Sequence, residues 1–461
     1  MKIVKSFFSK NFVFLVFLGV VVAGSVLAEA VAGEGAHDTV ITLLWIVVIL
    51  LSAKIASLVE RFGQPSVLGE LLIGVILGNL ILLGITVFEP IKSDIFIPFL
   101  AELGVIILLF QVGLESNLKQ MQRVGMRAFM VALVGVIVPF VLGTWVVGPW
   151  LLPGLSLNTY LFLGAALTAT SVGITARVFR DLGKLHLPEA QIVLGAAVID
   201  DVMGLIILAV VSAIVTLGAV SIGAVSWIVA KAVLFLVGAI IVGQFFAPVL
   251  GRWFSKIQTG LGMKFTLAIC FALTFAYIAG VIGLAPIVGA FAAGLVLDAV
   301  HFKYFNKPKI SEDIALHAES IQGETRESLL AVADSHSEKH VEELIEPLSL
   351  FFVPIFFVVT GMNVKLEILF DPKILTVALG ITVVAFLGKY VAGLVAGNVN
   401  RHIVGVGMVP RGEVGLIFAT MGKSLGVVSD EVFSIIVIMV ILTTLLTPPI
   451  LSYLLKKQIP V

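Results

Sequence analysis

Charge is what this chain has least of. Asp, Glu, Lys and Arg make up only 13% of its 461 residues, against about 25% in ordinary soluble proteins. With 59% hydrophobic residues and a mean hydropathy of +1.16, this deficit excludes a soluble globular chain. Cysteine is almost absent. The single Cys270 rules out an intramolecular disulfide, and its place in an apolar run predicts a small core residue. Net charge is zero and points to no partner; no nucleic-acid binding is expected. The apolar runs are continuous instead of alternating, which excludes a transmembrane β-barrel. What remains is an all-α polytopic membrane protein, whose helices satisfy their own backbone hydrogen bonds in lipid.

Lys2, Lys5 and Lys10 precede the apolar run Phe12 to Leu27, and Ala28-Glu29-Ala30 follows as an A-x-A site. Residues 1–30 therefore read as a signal peptide. A window of about 19–20 residues then gives about 13 spans, beginning at 39–57 and 65–88 and ending at 403–422 and 432–454. Arg61, Lys119, Arg123, Arg127, Arg177, Arg180, Arg252, Lys256 and Arg401 fall in one set of loops. Lys92, Lys365, Lys373 and Lys423 fall in the other. The bias puts the carboxyl terminus in the cytoplasm and the mature amino terminus outside. Residues 301–346 form a hydrophilic stretch, expected as a cytoplasmic loop with helix in its second half. Its His317, His336 and His340 are read as surface histidines of a solvated linker.

Two adjacent aspartates, Asp200 and Asp201, stand in the middle of one span. An aspartate at the bilayer centre costs roughly 2.5–3.5 kcal/mol on insertion scales, so such a pair points to charge handling. Lys389, about fifteen residues into the eleventh span, is a candidate partner for a buried carboxylate. Glu70 and Glu102 sit nearer the membrane faces and are read as packing groups or as the lining of an entrance funnel. Two spans look interrupted. One contains Thr168-Ala-Thr-Ser-Val-Gly-Ile-Thr175, the other Gly405-Val-Gly-Met-Val-Pro-Arg-Gly-Glu-Val-Gly415, where Pro410 lacks a donor. Arg411 and Glu413 lie beside the second break, to pair with each other or cap the half-helices. Each break occupies the middle of a three-span set, and the two sets run in opposite senses. That is the arrangement of an inverted-topology repeat.

Gln64-Pro-Ser-Val-Leu-Gly-Glu70, Leu103 to Glu115, Thr170 to Arg177, Asp200-Asp201, Gly283 to Gly294, Lys389 and Pro410 to Gly415 form an ordered set across residues 39–455. In that set the chain resembles the second monovalent cation:proton antiporter family, in its two-aspartate, electrogenic bacterial branch. The resemblance implies a homodimer and two domains per protomer, with the two broken helices crossing. Dimer-domain parts are expected at 37–122 (TM1–3) and 260–372 (TM8–10), and core ion-transport parts at 125–256 (TM4–7) and 373–461 (TM11–13). It implies an elevator-type exchange of cytoplasmic Na+, and Li+, for external H+. Asp201 is placed as the principal cation ligand and Asp200 as the partner of Lys389. Thr170 and Ser171 are added as ligands, and Arg411 and Glu413 as supporting residues. No cofactor is expected beyond the transported ions. The long 301–346 loop departs from the pattern.

A hard cation takes oxygen ligands, and carboxylates, hydroxyls and the freed carbonyls of a helix break supply them. The alternative reading is a potassium/proton exchanger or K+ efflux system on the same scaffold. An enzyme is not expected: an aspartyl protease needs carboxyls converging from different helices, whereas neighbours on one helix point about 100° apart. A bacterial inner membrane is the expected location, with a thylakoid-type internal membrane left open.

Overall fold

The computed structural model describes residues 39–62, 64–115, 125–217, 222–297, 305–306, 308–319 and 324–457. Among these residues the chain is helical, with no strand. The segment read as a signal peptide lies outside them. The helices are α1 (Thr39–Ala56), α2 (Ser66–Gly78), α3 (Phe96–Glu115), α4 (Gly125–Val141), α5 (Leu157–Ala166), α6 (Val172–Asp181), α7 (Pro188–Leu217) and α8 (Ile222–Ser255). They continue with α9 (Leu261–Val281), α10 (Pro286–Val296), α11 (Lys309–Glu319), α12 (Glu324–Met362), α13 (Pro372–Tyr390), α14 (Arg401–Gly407), α15 (Glu413–Ser424) and α16 (Asp430–Lys457). Eight described helices are long and apolar enough to cross a membrane, while α2 and α10 are shorter apolar helices.

The helices pack as two groups. In one, α12 lies along α2 and α3, and α10 lies along α3 and α9. Lipid offers no hydrophobic drive between helices, so close backbone approach at small residues takes its place. A Cβ on Gly361 of α12 would lie 2.3 Å from the Leu71 carbonyl oxygen of α2, and one on Gly294 of α10 would lie 2.2 Å from the Phe110 carbonyl oxygen of α3. In the other group α4 packs on α7, α13 on α16 and α5 on α15. Pro139 lies near the end of α4, which loosens into a π turn at Leu142–Val147 before Gly148–Leu151.

Several expectations change. The span read at 65–88 contains only α2 and a 3-10 turn at Leu80–Leu83. Asn79 stops the helix: its amide donates to the carbonyls of Val75 (2.8 Å) and Val364 (2.7 Å). The second half of the 301–346 stretch is helical, as expected, and belongs to α12, which runs unbroken through Pro347. The span expected at 347–364 is therefore the later part of a longer helix, and Pro347 lies inside it. Cys270 is exposed on α9 and is not a core residue, because only one face of that apolar helix is covered. His317 is an exposed histidine bonded to the Asp313 carbonyl of its own helix. His340 departs from the surface reading: it is buried, with Nδ1 3.0 Å from Lys264 Nζ. The side chain of His336 lies outside the described residues. Glu70 is buried on α2, and Glu102 is exposed on α3.

Candidate functional site

The two suspected interruptions are both real. Helix α5 stops at Ala166 and α6 starts at Val172; α14 stops at Gly407 and α15 starts at Glu413. In the first gap, hydroxyl side chains compete for backbone groups, and the Thr168 hydroxyl donates back to the Ala165 carbonyl at 2.7 Å. In the second, Pro410 contributes no N–H.

The two gaps cross. The Ser171 N–H donates to the Pro410 carbonyl at 2.8 Å. The Thr175 hydroxyl of α6 donates to the Gly407 carbonyl at 2.7 Å. The Thr170 hydroxyl stands between the Met408 carbonyl, 3.2 Å away, and the Asp200 carboxylate. The crossing is tight at one point, where a Cβ on Gly412 would lie 2.6 Å from both Cβ and Oγ of Ser171. Only glycine leaves room for the two backbones there.

Asp200 and Asp201 sit in the first half of α7, which packs against α4, and both are buried. Lys389, near the end of α13, passes beside Gly135 of α4 and donates to both oxygens of Asp200, at 2.7 and 2.9 Å. The lysine side chain is 0% exposed and the aspartate 1%, so Lys389 does not reach toward the membrane edge. Arg411 is also fully buried. Its guanidinium donates to the Ala169 carbonyl in the first gap (2.7 Å) and to the Ala385 carbonyl of α13 (2.9 Å). Arg411 thus ties the first gap and α13 to the second gap. Among the described residues its Nε has no hydrogen-bond partner. Glu413 opens α15; its side chain lies outside the described residues.

Among the described side chains of the site, two acidic groups and two basic groups are buried together. Removing such groups from water in their charged forms costs several kcal/mol per ion even after relaxation, so their mutual attraction and hydrogen bonds must offset that cost. The arrangement places acid groups beside unwound backbone and hydroxyls, a donor set that suits a hard cation or a proton. Among the described residues no cluster of three or more His, Cys, Asp or Glu could hold a resident metal ion.

A cavity of ~210 Å³ adjoins the crossing. Ser171, Gly412 and Thr444 line one side, and Pro65 and Leu68 of the α2 region with Phe357 of α12 line another. The Thr444 hydroxyl of α16 donates to the Arg411 carbonyl. Sequence reasoning missed Thr444. Its signal is weak, because Thr443 and Thr447 nearby only bond back to carbonyls of their own helix, at 2.8 and 2.7 Å.

A family model described as "Sodium/hydrogen exchanger, transmembrane" matches residues 46–321 and 328–457. The chain is 36% identical over 446 residues to the high-affinity Na(+)/H(+) antiporter NhaS3 of Synechocystis, covering 88% of each chain. It is 35% identical over 417 residues to the Na(+)/H(+)-K(+) antiporter GerN of Bacillus cereus, covering 88% of this chain and 95% of that one. Among solved structures it matches the sodium proton antiporter MjNhaP1 of Methanocaldococcus jannaschii with a TM-score of 0.61. That match covers 90% of this chain and 96% of the other at 17% identity, a likeness of fold.

Proposed function

This chain belongs to the transmembrane sodium/hydrogen exchanger family, and on that premise we propose that it is a secondary active antiporter exchanging cytoplasmic Na+, and Li+, for external H+. The observation that carries this reading is the buried Asp200–Lys389 pair, 2.7 Å apart, beside Asp201 and the crossing of two broken helices. Asp201 is the cation ligand, with Thr170, Ser171 and the unwound carbonyls contributing further oxygens. Protons compete for the same carboxylate, and that competition couples the two fluxes. Sodium at Asp201 loosens the Asp200–Lys389 pair, and the desolvated ammonium then gives up its proton. Two protons against one cation move net charge, so the exchange is electrogenic. Arg411 holds the first gap through Ala169 and adds a second basic group to the site.

Counting the eight long helices, α2, α8, α10 and each broken helix once gives thirteen crossings. We take α4–α7 and α13–α16 as an inverted repeat that, together with α8, slides as the moving core of an elevator. The α1–α3 and α9–α12 group is its scaffold and the interface of a homodimer. The membrane is a bacterial inner membrane with the carboxyl terminus in the cytoplasm. The exchange moves ions from one side of the membrane to the other without converting them into another species, so the protein is a transporter and not an enzyme.

The test is reconstituted exchange in proteoliposomes, followed with a pH-sensitive dye under pulses of Na+, Li+ and K+. Asp201→Ala abolishes exchange; wild-type rates in that variant would remove Asp201 as the ligand. A second reading, potassium/proton exchange, is favoured by the K+ in the name of the GerN relative. A K+ response matching the Na+ response would establish it.

A further inference from the structure

The crossing of the broken helices lies toward the first turns of α2, where Pro65 and Leu68 line its cavity. Asn79 marks the opposite end of α2, about 20 Å away at 1.5 Å per residue. At that far end the two helix groups are joined by a polar cluster. From the α2–α12 group come Asn363 and Lys365, which follow the end of α12. This loop is fixed to its own group: Asn79 donates to the Val364 carbonyl at 2.7 Å and accepts from the Leu366 N–H at 2.8 Å. From the group that carries the breaks come Lys423, in the last turn of α15, and Asp430, at the start of α16.

Contacts from Asn363 and Lys365 cross between the groups, while the Asp430–Lys423 pair lies within the group that carries the breaks. Asp430 accepts from Lys365 Nζ at 2.7 Å and lies 3.0 Å from Lys423 Nζ. Lys423 Nζ donates to the Asn363 side-chain oxygen at 3.3 Å and stands 4.8 Å from the centre of the Phe433 ring. The Lys365 N–H donates to the Ser434 hydroxyl at 3.1 Å. One carboxylate thus gathers an ammonium from each group. The hydrogen bond to Asp430 holds the Lys365 pKa above the ordinary lysine value, so the pair stays charged across the physiological range and does not work as a proton switch.

We propose that Asp430, Lys365, Lys423 and Asn363 form a latch that closes the outer end of the interface between the two helix groups and must open once in every transport cycle. This inference rests on the sliding motion given above. If α15 and α16 move together along α12 by even one helical turn, ~5.4 Å, neither the 2.7 Å Lys365–Asp430 contact nor the 3.3 Å Lys423–Asn363 contact survives. The latch favours the conformation described here over its outward-open counterpart. Its members are partly exposed, with side-chain exposures of 48% for Lys365, 29% for Lys423 and 37% for Asp430, so salt weakens it.

Two experiments separate the latch from the motion it rests on. In a Cys270→Ala background, Asn363→Cys with Lys423→Cys is bridged by a short, reducible bis-thiol reagent in proteoliposomes. Exchange should stop on bridging and return on reduction. The control pair Glu89→Cys with Lys92→Cys, within one group, should exchange normally when bridged. Full exchange across the Asn363–Lys423 bridge would overturn sliding, and the latch with it. The second experiment measures the ratio of the Na+ KM values on the two membrane faces for Asp430→Asn and, independently, Lys365→Gln. Each should shift the ratio by about two- to fivefold toward the outward-facing state, a range set by the one partly exposed ion pair, Lys365–Asp430, that crosses between the groups. Raising ionic strength should reproduce the shift in the parent but not in the variants. An unchanged ratio and unchanged salt response in both variants, with bridging still inhibitory, would overturn the latch and leave sliding intact.

Discussion

Replacing Lys389 by glutamine should disconnect exchange from the membrane potential. The ammonium is fully buried and bonded to both oxygens of Asp200, at 2.7 and 2.9 Å. Without it, Asp200 would be a buried carboxylate that has lost its ammonium, a situation that costs ~3–5 kcal/mol when one partner of a buried pair is removed. Keeping a proton on Asp200 throughout the cycle is the lower-energy outcome. Asp201 then remains as the only group exchanging a proton against the cation, and the stoichiometry drops from two protons to one. Moving one net charge through 100 mV is worth ~2.3 kcal/mol, and at ~1.4 kcal/mol per decade that is roughly a 50-fold change in the sodium ratio at equilibrium. The assay clamps the potential with potassium and valinomycin in proteoliposomes and finds the sodium gradient at which net flux vanishes. For the parent that gradient should move ~50-fold per 100 mV. For Lys389→Gln it should not move, while sodium-dependent exchange persists. An unaltered potential dependence in an active variant would refute the assignment of Lys389 as a coupling group.

Two further outcomes follow from close backbone approaches. Gly412→Ala puts a Cβ 2.6 Å from Cβ and Oγ of Ser171, forcing the crossing apart. Exchange should fall at least tenfold, since a misplacement of about 1 Å at a reacting centre can cost 10²-fold; a normal rate would show that this geometry does not matter to transport. Gly361→Ala puts a Cβ 2.3 Å from the Leu71 carbonyl oxygen, at the α2–α12 contact. It should cost ~1–3 kcal/mol of stability, seen as a lower unfolding midpoint in detergent, with the Na+ KM of the folded fraction unchanged; an unchanged midpoint would refute the tight α2–α12 packing.

The parts of this molecule that are legible in its sequence are those where physics penalises an exception. A lysine and two aspartates inside apolar runs are costly wherever they fall, so Asp200, Asp201 and Lys389 stand out from composition and position alone. Pro410 and the threonines of 168–175 mark the breaks because a missing donor and competing hydroxyls act locally. The spacing of Asp200 and Lys389 along the chain, in contrast, says nothing about contact. Nor does periodicity say which aspartate takes the lysine, because both lie on one helix about 100° apart. Helix ends are the least legible features. The span expected at 347–364 begins inside α12, and α2 ends at Gly78 instead of running on to 88, stopped by the cap that Asn79 makes with Val364, 285 residues away.

Backbone carbonyls explain the rest of what the sequence hides. Arg411 looks like a partner for Glu413 or a helix cap; among the described residues its hydrogen bonds go to the carbonyls of Ala169 and Ala385, which neither reading names. Thr444 and Thr175 likewise bond to carbonyls, of Arg411 and Gly407. Every residue carries a carbonyl, so no composition or motif records which ones a break will free. Breaking two helices releases acceptors in the low-dielectric interior, where each needs a donor. Arg411 therefore has two ties to the architecture: it fills carbonyls that the first break and α13 offer, and it adds a second basic group to the site of Asp200 and Asp201. A substitution that keeps the charge but not the planar fork, such as lysine, removes the first role and preserves the second. The broken helices and the buried ionisable groups are thus joined, since the unwinding that frees backbone oxygens beside Asp200 also makes one of the two acceptors that hold Arg411 in place, the carbonyl of Ala169.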